Sequence, residues 1–177
     1  MKKFKLGILG TASIAQKFMI NAISLCDGIE LAAIASRDPE KAASTAKKFS
    51  IPKATSYDEL VSSESIDIIY MPLPTGLHLE WGLKCLEAGK HVLFEKSLGR
   101  DSFEVKQLID LARKKNLLID ENYMFSHHSQ QQVLKESLFK IGIIRSFTAS
   151  FGFPPLSHDN FRYNKKLGGG ALLDAGG

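Results

Sequence analysis

Alternation constrains this chain most: short apolar runs take turns with amphipathic stretches from its start to about residue 120. The opening unit is complete by Arg37. Phe4 to Leu9 is an apolar run, and Gly10-Thr11-Ala12-Ser13-Ile14-Ala15 is a glycine-marked turn. An amphipathic stretch then reaches about Cys26, and Ile29 to Ala35 is apolar again, ending in Ser36-Arg37. Runs this short and apolar read as buried strands, whereas helical spacing marks the stretch between them. Strand, turn, helix and strand in that order make the first unit of an α/β domain whose turn sets a helix N-terminus against a pyrophosphate.

The same alternation predicts the following elements. Pro39–Phe49 reads as a helix with proline in its first turn. Lys53–Thr55 reads as a short edge strand, Tyr57–Val61 as a helical turn and Ile66–Met71 as a buried strand. Pro72 and Pro74 stop regular pairing; Thr75 then caps a helix to Glu87, with Gly89 as its stop signal. His91–Phe94, Ser102–Lys115 and Leu117–Asp120 read as strand, helix and strand. Short connections between alternating strands and helices argue for a doubly wound parallel sheet covered on both faces, an α/β fold of Rossmann type.

Near Asn122 the pattern changes. Ser126–Lys140 reads as a helix and Ile143–Phe153 as a strand with one exposed face. A glycine-rich loop, Gly168-Gly169-Gly170, then enters a helix at Ala171-Leu172-Leu173-Asp174. The expected division is 1–122 for the nucleotide-binding domain and 123–177 for the start of an incomplete α+β domain, too short to bury a core of its own. On this reading the chain is the front part of a longer protein.

Composition narrows the partners. Twenty-three basic residues stand against 19 acidic ones, for a net charge of +4, and their clusters are two or three residues long. A nucleic-acid surface needs a basic face interleaved with aromatics, which the sequence lacks. No run is long enough to span a membrane, and Met1-Lys2-Lys3 is followed by an apolar stretch broken by Gly7 and Gly10, unlike a signal peptide. A cytoplasmic protein is expected. Cys26 and Cys85 fall on apolar faces of predicted helices and read as buried small hydrophobes rather than a disulfide or metal site. The adjacent His127-His128 has no carboxylate or cysteine set to complete a metal site, so no metal is expected.

Candidate binding residues sit where open α/β sheets hold ligands, at the carboxyl ends of the strands. Gly10, Ala12 and Ala15 occupy the three positions of a phosphate-binding turn, with alanine for the middle glycine. Thr11, Ser13 and Ile14 complete that turn; a plain βα turn is the other reading. Ser36 and Arg37 end the second strand, where an NAD site usually carries Asp or Glu. A hydroxyl and a guanidinium suit a ribose 2′-phosphate, because arginine binds phosphate through parallel hydrogen bonds. That favours NADP over NAD; a solvated Arg37 is the alternative. Asp38 with Pro39 reads as the start of the next helix.

Pro72, Leu73, Thr75 and His78 follow the fourth strand as candidate cofactor contacts. His78 alone reads as a surface residue. Glu95 and Lys96 follow the fifth strand, and a lysine beside a nicotinamide can stabilise the alkoxide of a hydride transfer. Glu121 and Tyr123 follow the sixth.

These pieces together resemble the glucose–fructose oxidoreductase/inositol dehydrogenase family of NAD(P)-dependent dehydrogenases. The resemblance rests on Gly7 to Ala15, Ser36-Arg37-Asp38-Pro39, Pro74 to His78, Glu87 to Lys96 and Gly168 to Gly176. It is most similar to sugar-nucleotide 3-ketoreductases and to dihydrodiol and D-xylose dehydrogenases. The resemblance implies Lys96 as the catalytic lysine, Glu95 as its neighbour and Asp174 as the aspartate of the glycine-rich helix. Ser97 stands where the family has proline, and Thr75 where it has asparagine. The tyrosine or histidine that donates the proton lies, in these subgroups, shortly after that aspartate and so past Gly177.

The expected function is therefore an NADP-dependent oxidoreductase acting between nicotinamide and a sugar, sugar-nucleotide or polyol carbon. Its full-length form is expected to be a homo-oligomer, and the 177 residues alone to be inactive. A non-catalytic nucleotide-binding sensor is the alternative. A methyltransferase of related fold would need an acidic residue where Ser36-Arg37 stand.

Overall fold

The computed structural model describes residues 3–175. Its centre is one parallel sheet of β1 (Phe4–Leu9), β2 (Ile29–Ala35), β3 (Lys53–Thr55), β4 (Ile68–Met71), β5 (His91–Glu95) and β6 (Ile119–Asn122). Their order across the sheet is β3-β2-β1-β4-β5-β6, the doubly wound arrangement. Successive residues point to opposite faces, so the central strands β1, β2, β4 and β5 feed two cores. Leu6, Ile8, Ile34 and Tyr70 pack with Ala15, Ile20 and Ala46 on one face. Leu9, Ala33, Ala35, Ile69, Met71 and Phe94 pack with Leu60, Leu86 and Leu108 on the other.

Helices cover both faces: α1 (Ile20–Ser24), α2 (Pro39–Phe49), α3 (Tyr57–Ser62), α4 (His78–Glu87) and α5 (Ser102–Lys115). Their ends are written in the sequence. Asp38 accepts hydrogen bonds from the amides of Glu40 (3.0 Å) and Lys41 (3.2 Å), and Pro39 takes the first helical position. Ser56 and Glu59 form a reciprocal capping box on α3. Before α1 the chain makes a wider π-type turn over Ala15–Met19.

Several expectations need correcting. The helix after Thr75 has no side-chain cap: a short 3₁₀ turn, Thr75–Leu77, leads into α4, and Thr75 itself is buried. Ile66 is buried but precedes the strand, which begins at Ile68. The sixth strand starts two residues later than expected. Leu117 instead closes α5, its amide donating to the Ala112 carbonyl at 2.9 Å, and the β5 register pairs Val92 with Ile119. Cys26 is exposed because α1 ends at Ser24, leaving it beyond the packed face; Cys85 is buried as expected, and burial pushes its thiol up to about 12.

Beyond β6 the chain runs through α6 (Gln130–Lys140) to two 3₁₀ turns at Phe161–Tyr163 and Lys165–Leu167, then α7 (Ala171–Ala175). Residues 143–153 form no strand. A strand exists only where its amides and carbonyls find a partner, and none of the described residues pairs with this segment. Between Tyr123 and Asn160 no residue is buried, and apolar side chains such as Phe139, Ile143, Phe147 and Phe151 stand exposed. Gly176 and Gly177 of the glycine-rich motif lie outside the described residues.

Candidate active site

Strand order reverses between β1 and β4, and at such a switch point the loops at the carboxyl ends open a crevice. Gly10 forms its floor. Its φ of +133° is a conformation side chains rarely adopt, and a Cβ there would lie 3.2 Å from Leu73 Cδ2 and 3.8 Å from Pro72 Cγ. The turn after β1 and the loop after β4 are thus in contact through a glycine, as close approach of backbone to a phosphate requires. Thr11, Ala12 and Ile14 are half-buried around the turn and Ser13 is exposed. The Gln16 side chain donates to the Thr11 carbonyl at 2.9 Å and fixes the turn. These residues fit a dinucleotide pyrophosphate.

Ser36 and Arg37 line an adjoining cleft of about 630 Å³ with Pro39, Tyr57 and Trp81. Ser36 is buried, and its Oγ accepts from the Asp38 amide at 3.1 Å. Arg37 is exposed at the rim. A 2′-phosphate would meet one hydroxyl and one guanidinium there.

The lysine end of the crevice is more densely bonded. Lys96 Nζ donates to Asp174 Oδ1 at 2.8 Å and to the Asp174 carbonyl, while Arg162 Nε donates to Asp174 Oδ2 at 2.7 Å. Burial alone would raise the Asp174 carboxyl, but the hydrogen bonds and charges of Lys96 and Arg162 outweigh it. The carboxyl is held below its ordinary value of 3.8. Ser97 Oγ donates to the Leu173 carbonyl at 2.7 Å, and the Lys96–Ser97 peptide is cis.

Backbone proximity brings Asp174 there. A Cβ on Gly168 would lie 2.8 Å from Thr75 Cβ, and one on Gly76 would lie 2.7 Å from the Lys166 carbonyl oxygen. Only glycines let these two turns lie against each other, and the following helix α7 is thereby placed over the end of β5.

Glu95 points away from Lys96 into the sheet. Its Oε1 accepts from the Tyr70 hydroxyl at 2.6 Å and from Asn122 Nδ2 at 2.7 Å. Burial, then the Glu95 carboxylate, hold the Tyr70 hydroxyl firmly protonated. Glu95 thus joins β4, β5 and β6. His78 is fully buried, not a surface residue: Nδ1 lies 2.8 Å from the Ser97 carbonyl and Nε2 2.9 Å from the Leu73 carbonyl. Burial lowers its pKa against the upward pull of those carbonyls. It straps the loop after β4 to the residue following Lys96.

The profile of one family, described as an oxidoreductase family with an NAD-binding Rossmann fold, matches residues 4–123. The chain belongs to the Gfo/Idh/MocA oxidoreductase family. A dTDP-3,4-didehydro-2,6-dideoxy-α-D-glucose 3-reductase of Saccharopolyspora spinosa is 46% identical over 99% of this chain and 53% of its own length. An NADP(+)-dependent D-xylose 1-dehydrogenase of Haloferax volcanii is 36% identical over 96% of this chain and 53% of its own. Among solved structures, a 3-ketoreductase from Actinomadura kijaniata in complex with NADP and TDP-benzene superposes with a TM-score of 0.94 at 40% identity. The match covers 99% of this chain and 55% of that one. The chain spans about half the length of the curated relatives it matches.

In this Gfo/Idh/MocA chain Pro72 and Leu73 lie against the Gly10 turn and Lys96 meets Asp174, whereas His78 and Glu95 are buried and brace the loops and strands around them. Four partners escaped the sequence reading. Arg162, Tyr70, Asn122 and Tyr57 lie far in sequence from what they touch, and a single ordinary polar residue carries no spacing signal. For Arg162 a hint existed: Phe161-Arg162 shortly precedes the glycine-rich loop, and a cation near a lone aspartate invites pairing.

Proposed function

We propose that the whole protein is an NADP-dependent oxidoreductase that moves hydride between nicotinamide and a carbon of a sugar, sugar-nucleotide or polyol, with 1–122 as its cofactor domain and 123–177 as the start of its substrate domain. The observation that carries this reading is the Lys96–Asp174 pair at the end of β5, beside a turn built on Gly10. The names of the relatives support it, since they include NADP-dependent enzymes acting on sugars and dTDP-sugars.

Gly10 to Ile14 would hold the pyrophosphate, Ser36 and Arg37 the 2′-phosphate, and the loops after β4 and β5 the nicotinamide ribose. Bound nicotinamide supplies or accepts the hydride. Lys96 donates a hydrogen bond to the substrate oxygen and stabilises the alkoxide that forms in reduction. Asp174 fixes the direction of the Lys96 ammonium by accepting two of its three protons, one at the carboxylate and one at the backbone carbonyl, leaving the third for substrate. Lys96 and Arg162 together hold the Asp174 carboxyl low against the upward push of burial.

Lys96→Ala tests the reading in the protein at the length of its relatives. Reduction of a dTDP-keto sugar with NADPH is expected to fall by about 10²-fold or more, while NADPH affinity changes little, the pattern of an interaction made in the transition state. Unchanged turnover, or no turnover in the unsubstituted protein with cofactor still bound, would favour a binding or sensor role instead.

A further inference from the structure

Ser97 follows the lysine of the site and is where this chain departs from the pattern of its family, yet the proposed mechanism does not use it. The residue is buried, and its backbone is held from two elements. Nδ1 of His78, on α4, lies 2.8 Å from the Ser97 carbonyl, and the next amide, of Leu98, donates to Glu121 Oε1 on β6 at 2.7 Å. The Ser97 hydroxyl therefore projects, through a single torsion, from a fixed stretch of chain.

α7 has no such support of its own. Five residues are too few to hold a helix without tertiary contacts. Gly170, with φ of +134°, joins it to the preceding loop, and a Cβ there would meet nothing within 4 Å. Ala171 and Leu172 are exposed, so packing fixes little of the helix. Among the described residues, three side chains hydrogen-bond to α7 from elsewhere: Lys96 and Arg162 to Asp174, and Ser97 to the Leu173 carbonyl at 2.7 Å. Lys96 and Arg162 are long and flexible; Ser97 is short and stiff. Neighbours 96 and 97 thus meet neighbours 174 and 173, and two adjacent attachments fix a direction where one leaves a pivot.

We propose that Ser97 is a positioning residue: its hydroxyl pins α7 to the end of β5 and so sets the Asp174 carboxylate where Lys96 meets it. For its effect on turnover the proposal rests on the oxidoreductase reading above. Ser97 touches no reacting atom and supplies no proton.

Ser97→Ala removes the hydroxyl and Ser97→Thr keeps it; an unchanged Tm in both checks that the sheet survives. In the 177-residue chain, carboxyl-carbon NMR over a pH series reads Asp174, identified by the resonance lost in Asp174→Asn. The carboxyl is expected to titrate below 3.8 in the unsubstituted chain, to move up toward that value in Ser97→Ala and to stay low in Ser97→Thr. Identical titration in the unsubstituted chain and Ser97→Ala would overturn the proposal. In the protein at the length of its relatives, Ser97→Ala is expected to lower kcat for a dTDP-keto sugar about tenfold, the rate equivalent of one hydrogen bond, with the KM for NADPH unchanged. Ser97→Thr is expected to recover most of that loss. An unchanged kcat in Ser97→Ala, or a fall matched by a rise in the KM for NADPH, would overturn the role of Ser97 while sparing the oxidoreductase reading. Absence of turnover in the unsubstituted protein with NADPH bound would remove that reading, and the role of Ser97 in the reaction with it.

Discussion

Asp174 shares its two carboxylate oxygens between Lys96 and Arg162, and that division sets what each partner does. Lys96 is short of donors to spare: one proton goes to the carboxylate, one to the Asp174 carbonyl, and one is left. Asp174→Asn keeps the shape but removes the charge, and is expected to lower kcat roughly tenfold, about 1.4 kcal/mol of transition-state stabilisation. The pH dependence follows from the lowered carboxyl. A carboxyl whose folded pKa lies below its unfolded value contributes stability that is present above 3.8 and lost as pH falls from there through the folded value. The difference in Tm between the unsubstituted protein and Asp174→Asn is therefore expected to hold steady across neutral pH and to shrink on acidification below about pH 4. Thermal melts over a pH series check this; a difference that grew in acid would contradict the assignment.

Elements start and stop where local chemistry dictates, which is why most were legible. Asp101 caps α5 by accepting from the amides of Phe103 (2.9 Å) and Glu104 (3.0 Å), and Asn116 closes it in the left-handed conformation. Asp101→Ala leaves two orphan amides at the helix start and is expected to cost about 1 kcal/mol, a fall in Tm of roughly 2–4 °C by calorimetry. Asp38 was readable as a helix start for the same reason, its side chain and the amides it satisfies being two or three residues apart. Thr75 was misread for an instructive reason. A threonine after prolines resembles a cap, yet here its side chain is buried beneath the glycine-rich loop at Gly168, which no local pattern announces. The strand expected at Ile143–Phe153 failed similarly: alternation records which faces differ, but pairing needs a neighbour.

At the scale of the molecule, order is concentrated in the sheet. β1 is paired on both sides, as are β4 and β5, and their inward residues Ile8, Ile69, Tyr70 and Phe94 are fully buried. No residue from 123 to 160 is buried. Amide hydrogen exchange of this chain is therefore expected to be slowest in β1, β4 and β5 and fastest across residues 123–160, by orders of magnitude. Protection of 143–153 matching that of the sheet would contradict the arrangement described.

The sequence by itself determined the α/β class, the order of strands and helices, the glycine turn, the cationic end of β2 and the lysine after β5. Periodicity, caps and turn residues act over a few positions, and the family resemblance extended them into a cofactor and a reaction. Only the tertiary structure decided that His78 is an interior strap, that Glu95 braces three strands, that Tyr57 meets Trp81 and the Gly10 turn, and that Arg162 and Lys96 share Asp174. Those contacts join residues far apart in the chain, and their partners are chosen by how the turns pack over the sheet. A sequence records which groups are available; folding selects which of them meet, because only a closed core fixes the distances over which hydrogen bonds and charges act.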